Sequence, residues 1–198
     1  MRTLETERLK LRPMGERDED LYCRIYTDPG LMRHVGRALT REAALTAFAN
    51  VCRLNRETEF RYRCWVVSHR ESGENAGILG VVGNREQAEM GGMILPEWQG
   101  RGVSGETFPA GADFAFDEYK VNQVVVRYRA SNVKMDGLMR KLPFLKVADQ
   151  SCGDDWIQWM QTWKDWETRM RTKTENCRMH RNWGTDIHTA EDRCKQEA

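Results

Sequence analysis

The chain has 198 residues, of which 40% are hydrophobic, so it is long enough for one domain with a sizeable core and short for two full domains. Its 31 lysines and arginines almost balance its 30 aspartates and glutamates, which gives a formal net charge of +1. Because no global positive field attracts nucleic acid or anionic lipid, we expect neither a nucleic-acid partner nor a membrane partner. Binding must come from a local site.

Residues 1–20 are charged from the second position onward and lack the apolar segment of a signal peptide. No later apolar run approaches the length of a membrane span, so we expect a cytoplasmic protein. The six cysteines lie at irregular spacings without a Cys-x-x-Cys pair, which favours reduced thiols over disulfides.

Five segments read as β-strands, either from alternating apolar residues or from β-branched and aromatic runs. In chain order they are residues 9–14, 61–69, 75–83, 88–95 and 121–130. The turn residues between the second and third segments predict an antiparallel hairpin. Two adjacent glycines in the fourth segment, Gly91 and Gly92, indicate either a β-bulge or a close backbone approach.

Four segments have apolar residues at helical spacing or begin with a helix-capping residue. In chain order they are residues 15–29, which close at the Asp28–Pro29 turn, residues 40–52, residues 104–120 and residues 131–144. The fourth strand, a glycine-rich turn, the third helix and the fifth strand make a βαβ unit. The unit predicts a parallel or mixed sheet with helices packed against it.

The tryptophan-rich stretch 154–167 holds four of the seven tryptophans, spaced first like a strand and then like a helix. We therefore predict a strand leading into a short terminal helix, with the tryptophans used for core and lid packing and not as a ligand cage. From residue 168 onward the chain is polar. We divide the chain into a domain at 1–167 and an extension at 168–198 that is expected to be mobile or loosely docked.

Two further groups of polar residues were considered as binding sites. The extension holds four potential zinc ligands whose spacing fits no standard finger, namely Cys177, His180, His188 and Cys194, so we expect no metal site. Four arginines lie close together in the sequence, namely Arg53, Arg56, Arg61 and Arg63. They could attract an anion, but the interleaved Glu57 and Glu59 favour a solvated surface.

The stretch LPEWQGRGVSGE, residues 95–106, places three glycines between a predicted strand and a predicted helix. The N–H groups of residues 100–105 would then be unpaired at the positive end of the helix dipole, where phosphate binds. The glycines let a ligand approach the backbone, and Arg101 can add a charged fork. Alternatively, the glycines only end a strand and begin a helix. The string matches neither a Walker loop nor the dinucleotide-binding GxGxxG pattern.

The run Gln99-Gly100-Arg101-Gly102-Val103-Ser104 resembles the pyrophosphate-binding signature of the GNAT superfamily of N-acetyltransferases, with Ser104 in place of the final glycine or alanine. The surroundings agree in order: TERLKLRPM near the start, AEMGGMILPEWQGRGVSGE in the middle and SNVKMDGLMRKLPF after it. Across most of residues 3–165 the chain is similar to the branch that includes ribosomal-protein N-terminal, spermidine and antibiotic acetyltransferases.

This resemblance implies an α/β GNAT fold, whose mixed central sheet is splayed between the fourth and fifth strands and carries helices on both faces. It also implies that acetyl-coenzyme A lies in the V-shaped opening and pairs with the fourth strand at Met93, Ile94 and Leu95. The backbone N–H of Met93 or Ile94 would point at the thioester oxygen. The implied coenzyme-binding residues are Met93, Ile94, Leu95, Gln99, Gly100, Arg101, Gly102, Val103, Ser104, Gly105 and Asn132. Asn132 would bond the pantetheine arm, or it is an ordinary helix cap.

The reaction implied is direct transfer of the acetyl group to a primary amine of a protein, a peptide or a small molecule. Glu89 matches the position of the general base, although it can equally pair across the sheet or face solvent. The family's usual proton donors are replaced, since Met135 stands where relatives have serine or alanine and Met139 where they have tyrosine. Tyr128 and Cys152 are candidate substitutes.

Because the proton donor is missing, a second interpretation stays open. In that interpretation the chain is a catalytically weak GNAT scaffold that binds acyl-coenzyme A or another protein. In either interpretation the chain could form a homodimer.

Overall fold

The computed structural model describes residues 1–147 and 155–173. Eight strands form one sheet in the order β1-β2-β3-β4-β5-β6-β8-β7. Their bounds are β1 Leu4–Glu5, β2 Leu9–Pro13, β3 Tyr62–His69, β4 Asn75–Gly83, β5 Gln87–Ile94, β6 Gln123–Arg129, β7 Leu145–Val147 and β8 Trp156–Thr162. The five predicted strands correspond to β2–β6, and β8 is the strand predicted in the tryptophan-rich stretch.

The helices are α1 Glu19–Thr27, α2 Pro29–Met32, α3 Arg41–Arg56, α4 Val103–Tyr119 and α5 Val133–Met139, and residues 163–173 form α6. Thr40 caps α3, as predicted, by accepting a hydrogen bond from the Ala43 N–H at 3.2 Å. Asp28 ends the first helix as predicted, but its carboxylate also caps α2 by accepting from the N–H groups of Gly30 and Leu31. The helix α2 was not predicted.

The chain divides into two compact units, residues 1–162 and residues 163–198. The first unit contains the whole sheet. In the second, the described residues are those of α6, in which the rings of Trp163 and Trp166 lie 4.9 Å apart. The predicted division after residue 167 remains a prediction, and the four potential zinc ligands lie outside the described residues. Within the described ranges, no helix is long and apolar enough to cross a membrane.

Helices cover both faces of the sheet, as predicted. Gly111 places α4 directly on β4 and β5, because a Cβ there would come within 2.7 Å of Leu79 and 2.8 Å of Met90. On the opposite face, α1 and α3 bury an apolar cluster against β3 and β4 that includes Ile25, Phe48 and Val66. Removal of these side chains from water is the main force that holds the helices on the sheet.

The sheet is splayed between β5 and β6, also as predicted. Strand β5 pairs with β4 in unbroken register from Ala88 to Ile94, but it pairs with β6 only over the three residues Gln87–Glu89. Strand β6 meanwhile stays paired with β8 along its full length. The two central strands therefore part after Glu89 and leave a gap beside the second half of β5.

The bulge considered for the paired glycines of β5 is wrong, because the β4–β5 register does not shift. The alternative, a close backbone approach, is confirmed at Gly92. A Cβ at Gly92 would lie 3.0 Å from the carbonyl oxygen of Ile78 and 3.5 Å from the ring of Phe108. Glycine is therefore needed where α4 and β4 both press on the edge of the gap.

The predicted solvated surface of four arginines is wrong for Arg63, whose residue is only 2% exposed. Its guanidinium donates to Tyr119 Oη and to four carbonyl oxygens at distances of 2.7–3.0 Å; the carbonyls belong to Leu54, Glu57, Glu59 and Tyr62. The chain between α3 and β3 turns its carbonyls inward, and Arg63 supplies the donors they need. The other three arginines have exposed side chains and pair with nearby glutamates, as expected.

Candidate functional site

Among the described residues, no strand pairs with β5 beyond Glu89 on the side of β6, so this edge presents backbone groups to the gap. Hydrogen bonds from Leu95 N to Ala76 O and from Asn84 N to Gln87 O fix the phase of the antiparallel β4–β5 ladder. Because hydrogen-bonded pairs alternate in such a ladder, Met93 directs its N–H and C=O toward β4, whereas Gly92 and Ile94 direct theirs into the gap. Of the two predicted oxyanion donors, Ile94 is the one with this orientation.

The carbonyl of Ile94 is already occupied, because Gln99 Nε2 donates to it at 3.0 Å. This bond ties the glycine-rich turn to the end of β5. Leu95, by contrast, belongs to the core: it is 1% exposed and its N–H is bonded to Ala76. The edge available to a ligand therefore ends at Ile94.

The turn that follows β5 leads into an open helix N-terminus. Gly100 and Gly102 have φ angles of +77° and +79°, which side chains other than glycine adopt only with strain. Gly102 is the N-cap of α4, and no side chain of the described chain caps this helix. Gly105 N–H bonds back to Gly102 O at 3.0 Å, while the N–H groups of Val103 and Ser104 open the helix. Such a helix start suits an anion.

The first turn of α4 carries a carboxylate, Glu106, that could repel an anion, but other groups neutralise it. Glu106 accepts from Thr6 Oγ1 at 2.6 Å and from Arg8 Nε at 2.6 Å. Partial burial alone would raise the pKa of Glu106, but these hydrogen bonds and the Arg8 charge outweigh it and hold the pKa below its ordinary value. The Arg8 guanidinium also lies 3.0 Å from where a Cβ of Gly102 would stand.

A cavity of about 600 Å³ joins the gap edge to the helix start, and its size is typical of small-molecule sites. Its walls come from four places: the α2 segment, the end of β5, the turn into α4, and α5. Of the predicted coenzyme-binding residues, those that line it are Met93, Ile94, Gln99, Gly100, Gly102, Val103, Ser104, Gly105 and Asn132.

Arg101 and Leu95 do not line this cavity. The Arg101 guanidinium lies over the Trp98 ring, 5.1 Å from its centroid. Asn132 is a helix cap as well as a lining residue, because its Oδ1 accepts from Met135 N–H at 3.3 Å. The amide nitrogen of Asn132 can still donate to a ligand while the oxygen caps α5.

Glu89 pairs across the sheet, which was the alternative to its role as a base. Its carboxylate accepts from Arg127 Nη1 at 2.8 Å, and Arg127 Nε donates to Gln158 at 2.5 Å. Side chains alternate along β5, so Glu89 faces away from α4, on the same side as Met93. Its side chain is 41% exposed and is not among those that line the cavity.

The described residues do not supply the proton donor at the family's usual positions. Met139 is fully buried, and Met135 lines the cavity without a transferable proton. Tyr128 is buried, accepts from Trp159 Nε1 at 2.7 Å and donates to Asp136 at 3.0 Å. Burial raises the pKa of Tyr128 to about 12, so this hydroxyl is a structural link and not a donor to the cavity. Cys152 lies outside the described residues.

Sequence reasoning missed a histidine that lines the cavity. His34 follows α2, and its Nδ1 lies 3.3 Å from Ser131 Oγ, while its Nε2 accepts from Arg33 Nε at 3.0 Å. The Asp28–Pro29 pair is typical of a helix start and could have predicted α2, but the sequence does not place His34 at the cavity. Within the described ranges, no cluster of three or more metal-ligating side chains occurs.

Comparison with known proteins agrees with this geometry. Residues 8–145 match the family model of the acetyltransferase (GNAT) domain. An uncharacterized N-acetyltransferase, p20 of Bacillus licheniformis, is 24% identical over 157 residues, which cover 74% of this chain and 84% of the relative. All the residues that line the cavity lie within the range that the family model matches.

Two solved structures share the fold. RimL, a ribosomal alpha-N-protein acetyltransferase in complex with coenzyme A, superposes with a TM-score of 0.70 at 13% identity, covering 81% of this chain and 98% of its own. The Vibrio cholerae spermidine N-acetyltransferase in complex with coenzyme A and spermine has a TM-score of 0.69 at 15% identity, with the same coverage. Since the family model spans more than half of the sequence, the chain belongs to the GNAT family and is an N-acetyltransferase.

Proposed function

We propose that the chain transfers an acetyl group from acetyl-coenzyme A to a primary amine by direct attack of the amine on the thioester. The observation that carries this proposal is the meeting of two features in one cavity, the unpaired edge of β5 and the uncapped start of α4. An extended thioester arm suits the first feature and a pyrophosphate suits the second.

The residues of the gap would hold the coenzyme by backbone groups. The N–H groups of Val103 and Ser104 would bind the pyrophosphate, and Asn132 Nδ2 would donate to the pantetheine arm. The Ile94 N–H would stabilise the negative charge that develops on the thioester oxygen. Acetyl-coenzyme A supplies the activated acyl group, and the protein supplies alignment, which is a large part of the rate in such reactions.

The charge of the cavity wall favours one class of amine acceptor over another. Its described lining includes Arg33, Lys134 and Lys141 and no carboxylate. A polyamine would bring several positive charges to a wall whose own charged side chains are positive, whereas a peptide brings one reacting amine and can carry acidic side chains. We therefore propose the α-amino group of a peptide or protein as the acceptor, as in the ribosomal-protein N-terminal branch.

Glu89 is proposed as a general base, because its half-exposed carboxylate lies on β5 just before the strands part. Glu89→Gln is expected to lower kcat by about 10²-fold, the ordinary range for loss of a general base, with coenzyme affinity nearly unchanged. Steady-state kinetics with calorimetric titration of coenzyme A measures both. Glu86→Gln, in the turn before β5, is the matched control. Equal turnover of Glu89→Gln and wild type would remove Glu89 from this role.

A second function is favoured by one observation, namely that Met135 and Met139 cannot donate a proton. In that case the chain binds acyl-coenzyme A and catalyses acetyl transfer only weakly. To separate the two, acetyl-coenzyme A is mixed with peptides that begin with alanine or serine, with polyamines, with aminoglycosides and with amino acids. Free thiol and thermal stabilisation are then recorded.

We expect stabilisation together with thiol release on peptides. Stabilisation without release on any amine would support the binding function, and the absence of stabilisation would contradict both.

A further inference from the structure

We propose that His34 accepts the proton of the attacking amine in this cavity. The inference rests on the proposed acetyl transfer and deepens it by naming a base that reaches the cavity itself.

The position of His34 is the first support. The contact between His34 Nδ1 and Ser131 Oγ joins the segment after α2 to the segment before α5. Ser131 precedes Asn132, and His34, Asn132 and Ile94 all line the same cavity. The imidazole therefore belongs to the same cavity wall as Ile94, the proposed oxyanion donor.

The hydrogen bonds of His34 assign its tautomer. Arg33 Nε can only donate, so Nε2 of His34 must carry the lone pair, and Nδ1 carries the hydrogen that it donates to Ser131 Oγ. Nε2 is thus the ring nitrogen that can accept a proton. Arg33 is exposed, so an amine that replaces its guanidinium at Nε2 leaves the Nδ1 contact with Ser131 in place.

The proton balance of the step is simple. The amine nitrogen attacks the thioester carbon, a C–N bond forms and the C–S bond breaks. The N–H proton passes to Nε2 of His34, directly or through one water, and then from the imidazolium to the departing thiolate or to solvent. Products are the amide and the free thiol, with His34 restored. His34 thereby serves first as the base and then as the proton donor. The second role is the one that Met135 and Met139 cannot fill.

Glu89 and His34 are separable, because they lie on different elements. Glu89 is paired with Arg127 outside the cavity lining, whereas His34 is within it. Glu89 then takes the first proton, which the ammonium form of the acceptor must lose before attack, and His34 takes the second, which the nitrogen loses on forming the amide. Ser131 is then a positioning residue that holds the ring through Nδ1.

The test is His34→Ala, measured with acetyl-coenzyme A and the alanine- or serine-initiated peptide that the wild type acetylates. We expect kcat to fall by about 10²-fold, the coenzyme A dissociation constant to stay within about twofold, and added imidazole to restore part of kcat. Ser131→Ala should lower kcat by a smaller factor. His69→Ala is the control, because that ring packs on Trp98 at 5.3 Å and does not line the cavity.

Three results would overturn the inference. One is an unchanged kcat in His34→Ala while the wild type is active, which leaves the proposed function intact. Another is a rise in the coenzyme A dissociation constant that accounts for the whole loss, which would make His34 a closing contact over the coenzyme. The third is a loss of kcat without imidazole rescue in a variant that unfolds at the wild-type temperature. A wild type that acetylates no amine would instead contradict the proposed function itself.

Discussion

Replacing Arg63 with methionine is expected to lower the free energy of unfolding by about 3–5 kcal/mol, because several buried acceptors lose their donor at once. The arginine is 2% exposed and satisfies the carbonyls that link α3 to β3. Each unsatisfied buried carbonyl costs about 1–3 kcal/mol, and water that enters the space recovers part of the sum. Urea denaturation monitored by circular dichroism measures the change, provided that the m-value is constant.

The control for this prediction is Arg61→Met. The Arg61 side chain is 66% exposed and pairs with Glu59 at the surface, so its loss should change the free energy of unfolding by no more than about 0.5 kcal/mol. A loss below about 1 kcal/mol for Arg63→Met would contradict the account, because it would mean that the linker carbonyls find other donors.

Gly102→Ala is expected to weaken coenzyme A binding by about tenfold or more, equivalent to about 1.4 kcal/mol. The added Cβ stands in the left-handed region at φ +79° and comes within 3.0 Å of the Arg8 guanidinium, beside the turn proposed to bind phosphate. Relaxation of that turn moves the N–H groups of Val103 and Ser104 away from the positions an anion needs. Calorimetric titration with coenzyme A gives the dissociation constant directly.

Gly73 provides a matched control for the backbone strain. It lies in the turn between β3 and β4, has φ +72°, and a Cβ there would meet nothing within 4 Å. Gly73→Ala and Gly102→Ala should both lose about 1–2 kcal/mol of stability from the left-handed conformation. Only the second should lose coenzyme affinity. Equal affinity in the two variants would show that the turn at Gly102 does not hold the coenzyme.

The apolar periodicity and the glycine pattern of the sequence were enough to predict the strands and the turn that surround the candidate site. The strands on either side of the gap, β5 and β6, have apolar runs of ordinary length, and the turn at Gly100 and Gly102 carries glycines where positive φ angles occur. The proposed binding positions are backbone groups of residues close in sequence, so a correct strand–turn–helix prediction places them together.

Contacts between distant parts of the chain were not predictable in the same way. Arg63 lies in a charged stretch that resembles a solvated surface, and its burial depends on where the carbonyls of residues 54–59 point. The sequence shows no partner for the Tyr128 hydroxyl. The pairing of β6 with β8 brings Trp159 close enough to donate a hydrogen bond to it. His34 follows a four-residue helix, too short to show a periodicity, and reaches the site only through the tertiary fold.

The most direct test of the central claim is amide hydrogen exchange of the protein with and without saturating coenzyme A. The account predicts slower exchange at Gly92 and Ile94 on the gap edge and at Val103 and Ser104 at the start of α4. Met93 should change little, because its N–H is already held by β4. Binding of coenzyme A that leaves these four amides unchanged would contradict the account, because the coenzyme would then occupy another part of the molecule.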